Sequence, residues 1–439
     1  MEFLIKALQL ILSLSILVIL HEFGHFFFAR LFKTRVEKFY LFFDPWFSLF
    51  KYKKGDTEYG VGWLPLGGYV KISGMLDESM DKEQLAKPAE PWEFRSKPTW
   101  QRLLIMVGGV LVNFITAFVI FWLILFKWGE SFIPADNARY GFAYHPIGHE
   151  IGLQDGDRVL KVDTFVIDNV LKVGRYLMLE EPGEMTVQRG DSVFTLPVPA
   201  DIKTRLLAQE VRQFADYRFP VVVDSVIPGM AAAEAGLMKN DSIFSVNGKS
   251  TPYYNELIAE LGQNIGSNVE IGIYRDQQPL TLTIPVNEAG KIGFGSKSPV
   301  ELLGYSTITY GFFEAFPAGI SKGVNLLVNY VKQLKLVFTR EGAKQIGGFG
   351  AIGNLFPPSW DWESFWYNTA FLSLILAFMN ILPIPALDGG HVLFLLYEMV
   401  ARRKPSEKFL EYAQVTGMIL LIGLLLYANG NDLFRFLFK

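Results

Sequence analysis

The run His21-Glu22-Phe23-Gly24-His25 lies inside an apolar stretch from about Ala7 to Ala29. On a helix, His21 and His25 are one turn apart and face the same way, so that both imidazoles can bind one Zn²⁺. Glu22 is rotated by about 100° from His21, where its carboxylate can take a proton from water at the metal. Ionisable side chains in an apolar span cost on the order of 2.5 kcal/mol or more each, and they tend to persist only where they act. The run therefore predicts a zinc site on a helix that crosses a membrane.

The composition of the 439-residue chain indicates membrane spans combined with soluble domains. Hydrophobic residues make up 50% and the mean hydropathy is +0.24, too apolar for an average soluble enzyme and too polar for a chain buried wholly in a membrane. The net charge is −3 and Lys and Arg are spread along the chain, which argues against a nucleic-acid partner. Because there is no cysteine, any metal must be held by histidine and carboxylate side chains.

Three further segments are long enough to cross about 30 Å of hydrocarbon. They are Leu103–Phe126, about Phe365–Leu382 continuing past a break to Val400, and Phe409–Tyr427. The first span is retained, since no small-residue cleavage site follows it. Basic residues after the first span, before the second, and between the third and fourth place those loops in the cytoplasm and residues 128–364 outside. These residues are Arg30, Lys33, Arg35, Lys38, Lys97, Arg102, Arg402, Arg403, Lys404 and Lys408.

The outer stretch contains a diverged internal repeat. Gly152–Asp163 recurs as Gly236–Asn247, at an offset of 84 residues, and each copy has a Gly-Leu turn, an Asp and an alternating apolar strand. This pattern resembles the PDZ domain. In the second copy Val226–Ala233 adds the Pro-Gly and small residues that usually precede the turn, whereas the first copy has only His145–His149 there. We therefore predict two PDZ-like α+β domains, at 128–217 and 218–300.

Two other histidines and a glycine-rich run are weaker candidates for a site. His145 and His149 are four residues apart, but Pro146 and Gly148 make a regular helix improbable, so we interpret them as loop residues. Gly347–Gly353 is too rich in glycine for a stable helix and predicts a loop at the membrane. It lacks the Lys-Ser/Thr ending of a phosphate-binding loop, so no nucleotide cofactor is expected.

The third metal ligand is expected in Asn380–His391, which reads Asn-Ile-Leu-Pro-Ile-Pro-Ala-Leu-Asp-Gly-Gly-His. Its Pro-x-Pro pair interrupts the helix, and broken helices at membrane depth occur where they line a protein-enclosed cavity. Asp388 is the leading ligand, although His391 can replace it on spacing alone. The alternative is a cytoplasmic turn with a solvated Asp388. Asn380, beside the break, is a candidate to hold substrate backbone or a developing oxyanion.

These motifs together resemble the site-2 protease family, in its bacterial form with tandem PDZ domains, over nearly the whole chain. The resemblance rests on the run from His21 to His25, the run Asn380–Gly389, the paired repeats, and Gly67-Gly68-Tyr69-Val70-Lys71. It implies that His21, His25 and Asp388 bind zinc and that Glu22 is the general base. It also implies substrate contacts from a second group of residues, namely Asn380, Asn113, Gly67, Gly68 and Tyr69.

The aromatic, glycine-rich loop 36–75 fits the membrane-dipping β-hairpin of that family, and such a hairpin can pair with an unwound substrate. The alternative is an interfacial aromatic belt. The family often has Gly-Pro-x-x-Asn in the second span, whereas this chain has Gly109 and Asn113 without the proline. Asn113 therefore acts either beside the active site or as a span asparagine bonded to a neighbouring helix.

The sequence thus predicts a polytopic α-helical membrane protein in five segments. They are 1–127 (two spans and the β loop), 128–217, 218–300, 301–364 (a surface helix at 312–338, with a fifth span as the alternative, and the glycine-rich loop) and 365–439 (two spans).

The resemblance implies a zinc protease of the bacterial inner membrane, with its active site toward the cytoplasm and its PDZ-like domains in the periplasm. Its substrate is expected to be a trimmed single-span membrane protein such as an anti-sigma factor in envelope stress signalling, with PDZ domains selecting by size. The alternatives are clearance of remnant signal peptides, processing of a pro-protein, or a non-catalytic membrane scaffold with PDZ domains.

Overall fold

A computed structural model describes residues 2–75, 88–211 and 213–438. The chain divides into two compact units, one formed by Met1–Gly129 with Thr309–Lys439 and the other by Glu130–Ile308. The α-helices, in chain order, are α1 (Glu2–Leu31), α2 (Thr99–Trp128), α3 (Pro146–Glu150), α4 (Leu171–Leu179), α5 (Ile202–Ala208), α6 (Ala231–Glu234), α7 (Tyr254–Gln263), α8 (Pro299–Leu303), α9 (Phe312–Leu334), α10 (Arg340–Ala343), α11 (Phe349–Gly353), α12 (Trp362–Ile381), α13 (Asp388–Ala401) and α14 (Glu407–Phe438).

The strands, in chain order, are β1 (Val36–Lys54), β2 (Thr57–Ile72), β3 (Glu130–Phe132), β4 (Phe142–Tyr144), β5 (Arg158–Val162), β6 (Phe165–Val166), β7 (Glu184–Arg189), β8 (Ser192–Pro197), β9 (Ala215–Tyr217), β10 (Val221–Val226), β11 (Ser242–Val246), β12 (Lys249–Ser250), β13 (Asn268–Arg275), β14 (Gln278–Pro285), β15 (Phe294–Ser296) and β16 (Ser306–Ile308). All but β1 and β2 lie in the second unit.

Among the described residues, four helices are long and apolar enough to cross a membrane, namely α1, α2, α12 and α14. They confirm the four predicted spans. α1, α2 and α14 are longer than the apolar segments that predicted them, because the polar and charged residues at their ends continue the same hydrogen-bonded backbone. The chain is therefore a polytopic membrane protein, with its spans in the first unit.

The first two spans cross at glycines. A Cβ on Gly24 of α1 would lie 2.2 Å from the carbonyl oxygen of Gly108, and a Cβ on Gly108 of α2 would lie 2.6 Å from that of Gly24. Small residues at a crossing let two helix backbones approach more closely than larger side chains allow. The crossing holds against α2 the turn of α1 that carries His21 and His25.

The predicted break in the third span is confirmed, since α12 ends at Ile381 and α13 begins at Asp388. Pro383 and Pro385 supply no backbone N–H to continue the helix. Gly390 lies against this connection, where a Cβ would be 2.6 Å from the carbonyl oxygen of Ile384. The break therefore places Asp388 in the first turn of a new helix.

Residues 36–72 form two long, bent strands that pair antiparallel, which confirms the hairpin pairing predicted for the loop 36–75. Residues 38–41 of β1 pair on one side with 68–71 of β2 and on the other with 58–61, and 58–61 pair in turn with 50–53. The hairpin therefore makes a sheet four strands wide, with the last part of β2 at one edge. Among the described residues, no other strand pairs with that edge.

The segment predicted as a surface helix, or as a fifth span, is α9, which packs on α2. The buried residues of α9 are small, and a Cβ on Gly319 would lie 2.7 Å from the backbone nitrogen of Trp122. The indole Nε1 of Trp122 donates to the carbonyl oxygen of Phe312 at 2.7 Å. Phe313, on another face, is 85% exposed. α9 is not among the four helices with the length and composition of a span.

The prediction of a loop at 347–353 was wrong, since α11 is a short helix within it. The last turns of α14 explain the difference. The Asp432 carboxylate accepts from the backbone N–H groups of Gly348 at 2.9 Å and Ala351 at 3.0 Å, and the Asn429 side-chain oxygen accepts from Phe349 at 3.2 Å. Side chains from another helix thus satisfy the amides at the start of α11, which offsets the poor helix propensity of glycine.

In the second unit, the two copies of the repeat carry the same ion pair. Arg189 donates to both carboxylate oxygens of Asp157 at 2.7 Å, and Arg275 donates to both of Asp241 at 2.8 and 2.6 Å. The Asp241 carboxylate also accepts from the backbone N–H of Met238 at 2.8 Å. Burial alone would raise the pKa of Asp241, but the bonds from Arg275 and Met238 hold it below its usual value.

Each copy has its own hydrophobic core and its own sheet, ordered β6-β5-β7-β8 in the first and β14-β13-β11-β10-β15 in the second. His145 and His149 were predicted to lie in a loop, and this prediction was wrong. Pro146–Glu150 forms the short helix α3. Pro is tolerated in the first turn of a helix, and the His145 side chain accepts from the Ile147 N–H as the cap. His149 Nε2 lies 3.0 Å from Asp155 Oδ1, and neither residue belongs to a convergent group of three metal-ligating side chains.

Candidate active site

The site is built by the end of the first span and the start of α13. The Nε2 atoms of His21 and His25 lie 3.2 Å apart. Asp388 Oδ2 lies 3.2 Å from Nε2 of His21 and 3.4 Å from Nε2 of His25. Among the described residues, these three form the one group of metal-ligating side chains whose ligand atoms converge. His391 lines the same cavity but lies outside this group.

Two of the three convergent atoms are hydrogen-bond acceptors. His25 Nδ1 lies 2.8 Å from the carbonyl oxygen of Ile105 and donates to it, so its Nε2 carries the free lone pair. Asp388 Oδ2 is buried and has no hydrogen-bond partner. A cation bound between this buried carboxylate oxygen and the imidazole lone pair would stabilise both.

Gly109 of α2 forms one wall of this group. A Cβ at this position would lie 2.4 Å from His25 Nε2 and 2.9 Å from His21 Nδ1. The absence of a side chain therefore allows both imidazole rings to pack directly on the backbone of α2.

Glu22 lies beside the three residues, at the edge strand of the hairpin. Val70 of that strand lines the same cavity as Glu22. A Cβ on Gly68 would lie 3.5 Å from Glu22 Cγ and 2.6 Å from a methyl of Val18. Glycine at position 68 therefore lets the strand pass close to α1, with Glu22 between the strand and the histidines.

These groups open into a cavity of about 910 Å³. Of the residues predicted to contact substrate, Asn380, Gly68 and Tyr69 line it, and Asn380 Nδ2 lies 3.4 Å from His21 Nε2. Gly67 precedes the lining residues with φ of +144°, and its α-carbon faces the Phe43 ring. Asn113 lies behind His21, with Nδ2 3.3 Å from His21 Nδ1. Other lining residues include Lys38, Asp44, Lys71, Met106, Leu387 and Gln414.

Comparison with known proteins identifies the family to which this chain belongs. The sequence profile of Peptidase family M50 matches residues 9–424. The chain is a member of peptidase family M50. It is 30% identical to Protease RseP of Yersinia pestis, with 97% of each chain covered. It is also 30% identical to Regulator of sigma-E protease RseP of Escherichia coli, over 99% of this chain and 100% of that protein. A third relative, from Xylella fastidiosa, is named as a zinc metalloprotease and is 28% identical over 98% of this chain and 99% of its own.

This M50 peptidase is an intramembrane zinc-dependent protease, as the likeness to site-2 proteases predicted. The side chains fit the metal. Ligands at about 2.0–2.1 Å in a tetrahedral site lie roughly 3.3 Å from one another. The separations of 3.2, 3.2 and 3.4 Å among the three atoms agree with that spacing.

Two features of the site in this M50 peptidase could not be predicted from the spacing of residues in the sequence. The closeness of Gly109 to both imidazoles depends on the crossing of α1 and α2, and the only signal was the pair Gly108-Gly109 inside an apolar span. The approach of the edge strand to Glu22 at Gly68 depends on how the hairpin packs against α1, which spacing within the sequence does not give.

Proposed function

We propose that this M50 peptidase hydrolyses a peptide bond in the membrane-spanning segment of a single-span protein. In this proposal His21, His25 and Asp388 hold the zinc ion and Glu22 is the general base. The observation that carries it is the convergence of two imidazole nitrogens and an unpartnered carboxylate oxygen within 3.4 Å of one another. A base beside such a site, in a cavity large enough for a peptide segment, is what amide hydrolysis requires.

When bound, zinc polarises the scissile carbonyl and makes water acidic enough to lose a proton near neutral pH. Glu22 takes that proton and passes it to the leaving amine, a transfer typically worth about 10²–10⁴ in rate. The Asn380 amide, 3.4 Å from His21 Nε2, is placed to donate to the carbonyl oxygen as negative charge develops there.

A substrate helix must unwind before its carbonyl can be reached, and the hairpin offers a place for the extended chain. Residues 68–72 form the edge of the sheet and line the cavity beside Glu22. A substrate strand paired with this edge would satisfy its own backbone by strand addition. Gly68 and Tyr69 would then contact the substrate through their backbone atoms.

The substrate is proposed from the relatives. Two of them are named for regulation of sigma-E or share the RseP name, which favours an anti-sigma factor in envelope stress signalling at the bacterial inner membrane. Basic residues in the loops next to the spans favour an active site toward the cytoplasm. Clearance of remnant signal peptides and processing of a pro-protein use the same chemistry and differ only in substrate.

The second unit is proposed to be a pair of PDZ-like domains in the periplasm that admits only substrates already trimmed on that side. The support is the repeated Asp-Arg pair and the strand–helix order common to both copies. A non-catalytic scaffold would need the zinc for structure alone, and it would have no use for Glu22.

The test measures zinc content and cleavage of a single-span substrate lacking its outer domain, with purified enzyme in detergent. Wild type and Glu22→Gln should each hold one zinc ion, and Glu22→Gln should cleave at least about 100-fold more slowly because the base is lost. Glu363→Gln, at the far end of α12, is the matched control and should cleave like wild type. Cleavage by Glu22→Gln at the wild-type rate would remove the proposed base.

A further inference from the structure

The side chain of Asn113 is buried in the second span, directly behind one of the proposed zinc ligands. It is 1% exposed, and its amide lies 3.3 Å from Nδ1 of His21. It is not among the residues that line the cavity. Asn113 therefore contacts the edge of the imidazole ring that carries Nδ1, which is opposite the nitrogen facing His25 and Asp388.

The ring nitrogen of His21 that carries the proton determines whether Asn113 must donate or accept the hydrogen bond between them. Its Nε2 faces His25 and Asp388, so binding a metal there leaves the single imidazole proton on Nδ1. A proton on Nδ1 needs an acceptor, and the amide nitrogen of Asn113 cannot accept.

The amide oxygen of Asn113 can meet that need. Oδ1 is buried and has no hydrogen-bond partner. Turning the amide by 180° about its terminal bond exchanges Oδ1 and Nδ2 and moves no other atom. Oδ1 then accepts from Nδ1–H of His21, 3.3 Å away.

The other proposed histidine ligand is held in the same way. His25 donates from Nδ1 to the carbonyl oxygen of Ile105, which also belongs to α2. Ser373 of α12 donates to the carbonyl oxygen of Asn113 at 2.8 Å, which ties the backbone at this position to the neighbouring span. One helix, α2, thus presents an acceptor to the outer nitrogen of each imidazole.

We infer that Asn113 is a positioning residue that fixes the tautomer and ring orientation of His21 through a hydrogen bond from Nδ1–H to Oδ1. This inference rests on the proposed function, because it takes His21 as a zinc ligand. Partners of this kind typically change metal affinity about 10–100-fold when removed. The role differs both from substrate binding and from a hydrogen bond that merely joins two helices.

The test compares zinc dissociation constants by chelator competition in purified, detergent-solubilised enzyme. Asn113→Leu keeps the volume and removes the acceptor, so its Kd should rise about 10–100-fold. Asn113→Asp keeps an acceptor oxygen, so its Kd should stay at or below that of wild type. Asn368→Leu is the matched control, since Asn368 is also a span asparagine, 9% exposed, whose amide donates to the carbonyl oxygen of Leu355 at 2.8 Å.

The outcomes separate the two proposals. A wild-type Kd for Asn113→Leu, or equal losses for Asn113→Leu and Asn113→Asp, would overturn the positioning role and leave the zinc protease standing. Loss of affinity in Asn368→Leu as large as in Asn113→Leu would also overturn it, because the effect would then be one of general packing. Failure of wild type to bind zinc would overturn both proposals.

Discussion

At the scale of single residues, Gly109 is the position beside the proposed metal site that has no room for a side chain. Any side chain there meets both imidazoles, since a Cβ would lie 2.4 Å from His25 Nε2 and 2.7 Å from His21 Cε1. Real Cβ atoms do not approach so closely, and the backbone of a packed helix cannot yield, so the histidines must turn away.

Gly109→Ala should therefore raise the zinc Kd at least about tenfold and reduce cleavage of a trimmed substrate with it. Gly423→Ala is the matched control, because Gly423 lies in the span helix α14 and a Cβ there meets no atom within 4 Å. Metal content and cleavage rate, measured on both variants, check the prediction. A Gly109→Ala enzyme that retains zinc as wild type does would contradict the close packing.

Much of the site could be predicted from sequence because helical spacing fixes it. His21 and His25 share one face whatever surrounds them, and the Pro-x-Pro pair marks the break before Asp388. The position of Asn113 against the outer nitrogen of His21 could not be predicted, because it depends on the distance and rotation between two spans. Sequence periodicity predicts which residues share one face of a helix. It does not predict which residues of a neighbouring helix contact that face.

At the scale of elements, a buried ion pair fastens α13 to α2. Arg102 Nη2 lies 2.5 Å from Glu398 Oε1, and the Thr99 hydroxyl donates to the same oxygen at 3.1 Å. Arg102 is 7% exposed and its Nε also donates to the carbonyl oxygen of Lys97 at 3.0 Å. Because Glu398 is on the same helix as Asp388, the pair limits rotation of α13 about its axis and so directs Asp388 toward the histidines.

Glu398→Ala should lower the thermal midpoint of unfolding and weaken zinc binding. The variant leaves the Arg102 guanidinium buried without its partner, a loss of roughly 3–5 kcal/mol in the free energy of unfolding. Replacing both residues by Met should recover most of the stability, since no buried charge then remains. Asp136→Asn, which breaks an exposed pair with Arg158, is the control and should change stability by less than about 1 kcal/mol. Equal midpoints for Glu398→Ala and wild type would show that the pair does not hold α13.

The two elements that sequence patterns predicted wrongly, α3 and α11, are short helices whose first backbone amides are satisfied by side chains. α11 depends on the carboxylate of Asp432, a residue 81 positions after Ala351. α3 begins at Pro146, and its cap comes from the His145 side chain. In both cases a local rule about glycine or proline was outweighed by side chains that satisfy the backbone at a helix end. The long spans, by contrast, follow from apolar length alone.

At the scale of the whole molecule, the second unit is inserted into the chain between α2 and α9. β3 pairs antiparallel with β16, so that Glu130 lies opposite Ile308 where the chain enters and leaves the unit. Within the unit, the two copies of the repeat are joined by polar contacts. The Asn255 amide donates to Asp155 at 2.7 Å, and the backbone N–H of Arg218 donates to the carbonyl oxygen of Gly141 at 3.3 Å. The two copies are thus connected to each other by hydrogen bonds within the unit.

This arrangement makes the proposed selection by size testable with a clean deletion. Residues facing each other across an antiparallel pair are about 5 Å apart, so a short Gly-Ser linker can replace 130–308 without pulling α2 and α9 out of place. If the unit excludes bulky substrates, the deletion variant should cleave a single-span protein whose outer domain is intact, while wild type cleaves it only after trimming. The measurement is the ratio of cleavage rates for the intact and trimmed forms, which should approach one.

The same deletion with Glu22→Gln should cleave neither form, which ties any new cleavage to the proposed base. If the trimmed form is still cleaved and the ratio stays at its wild-type value, the unit does not select substrates by size, and the hairpin and the cavity must discriminate.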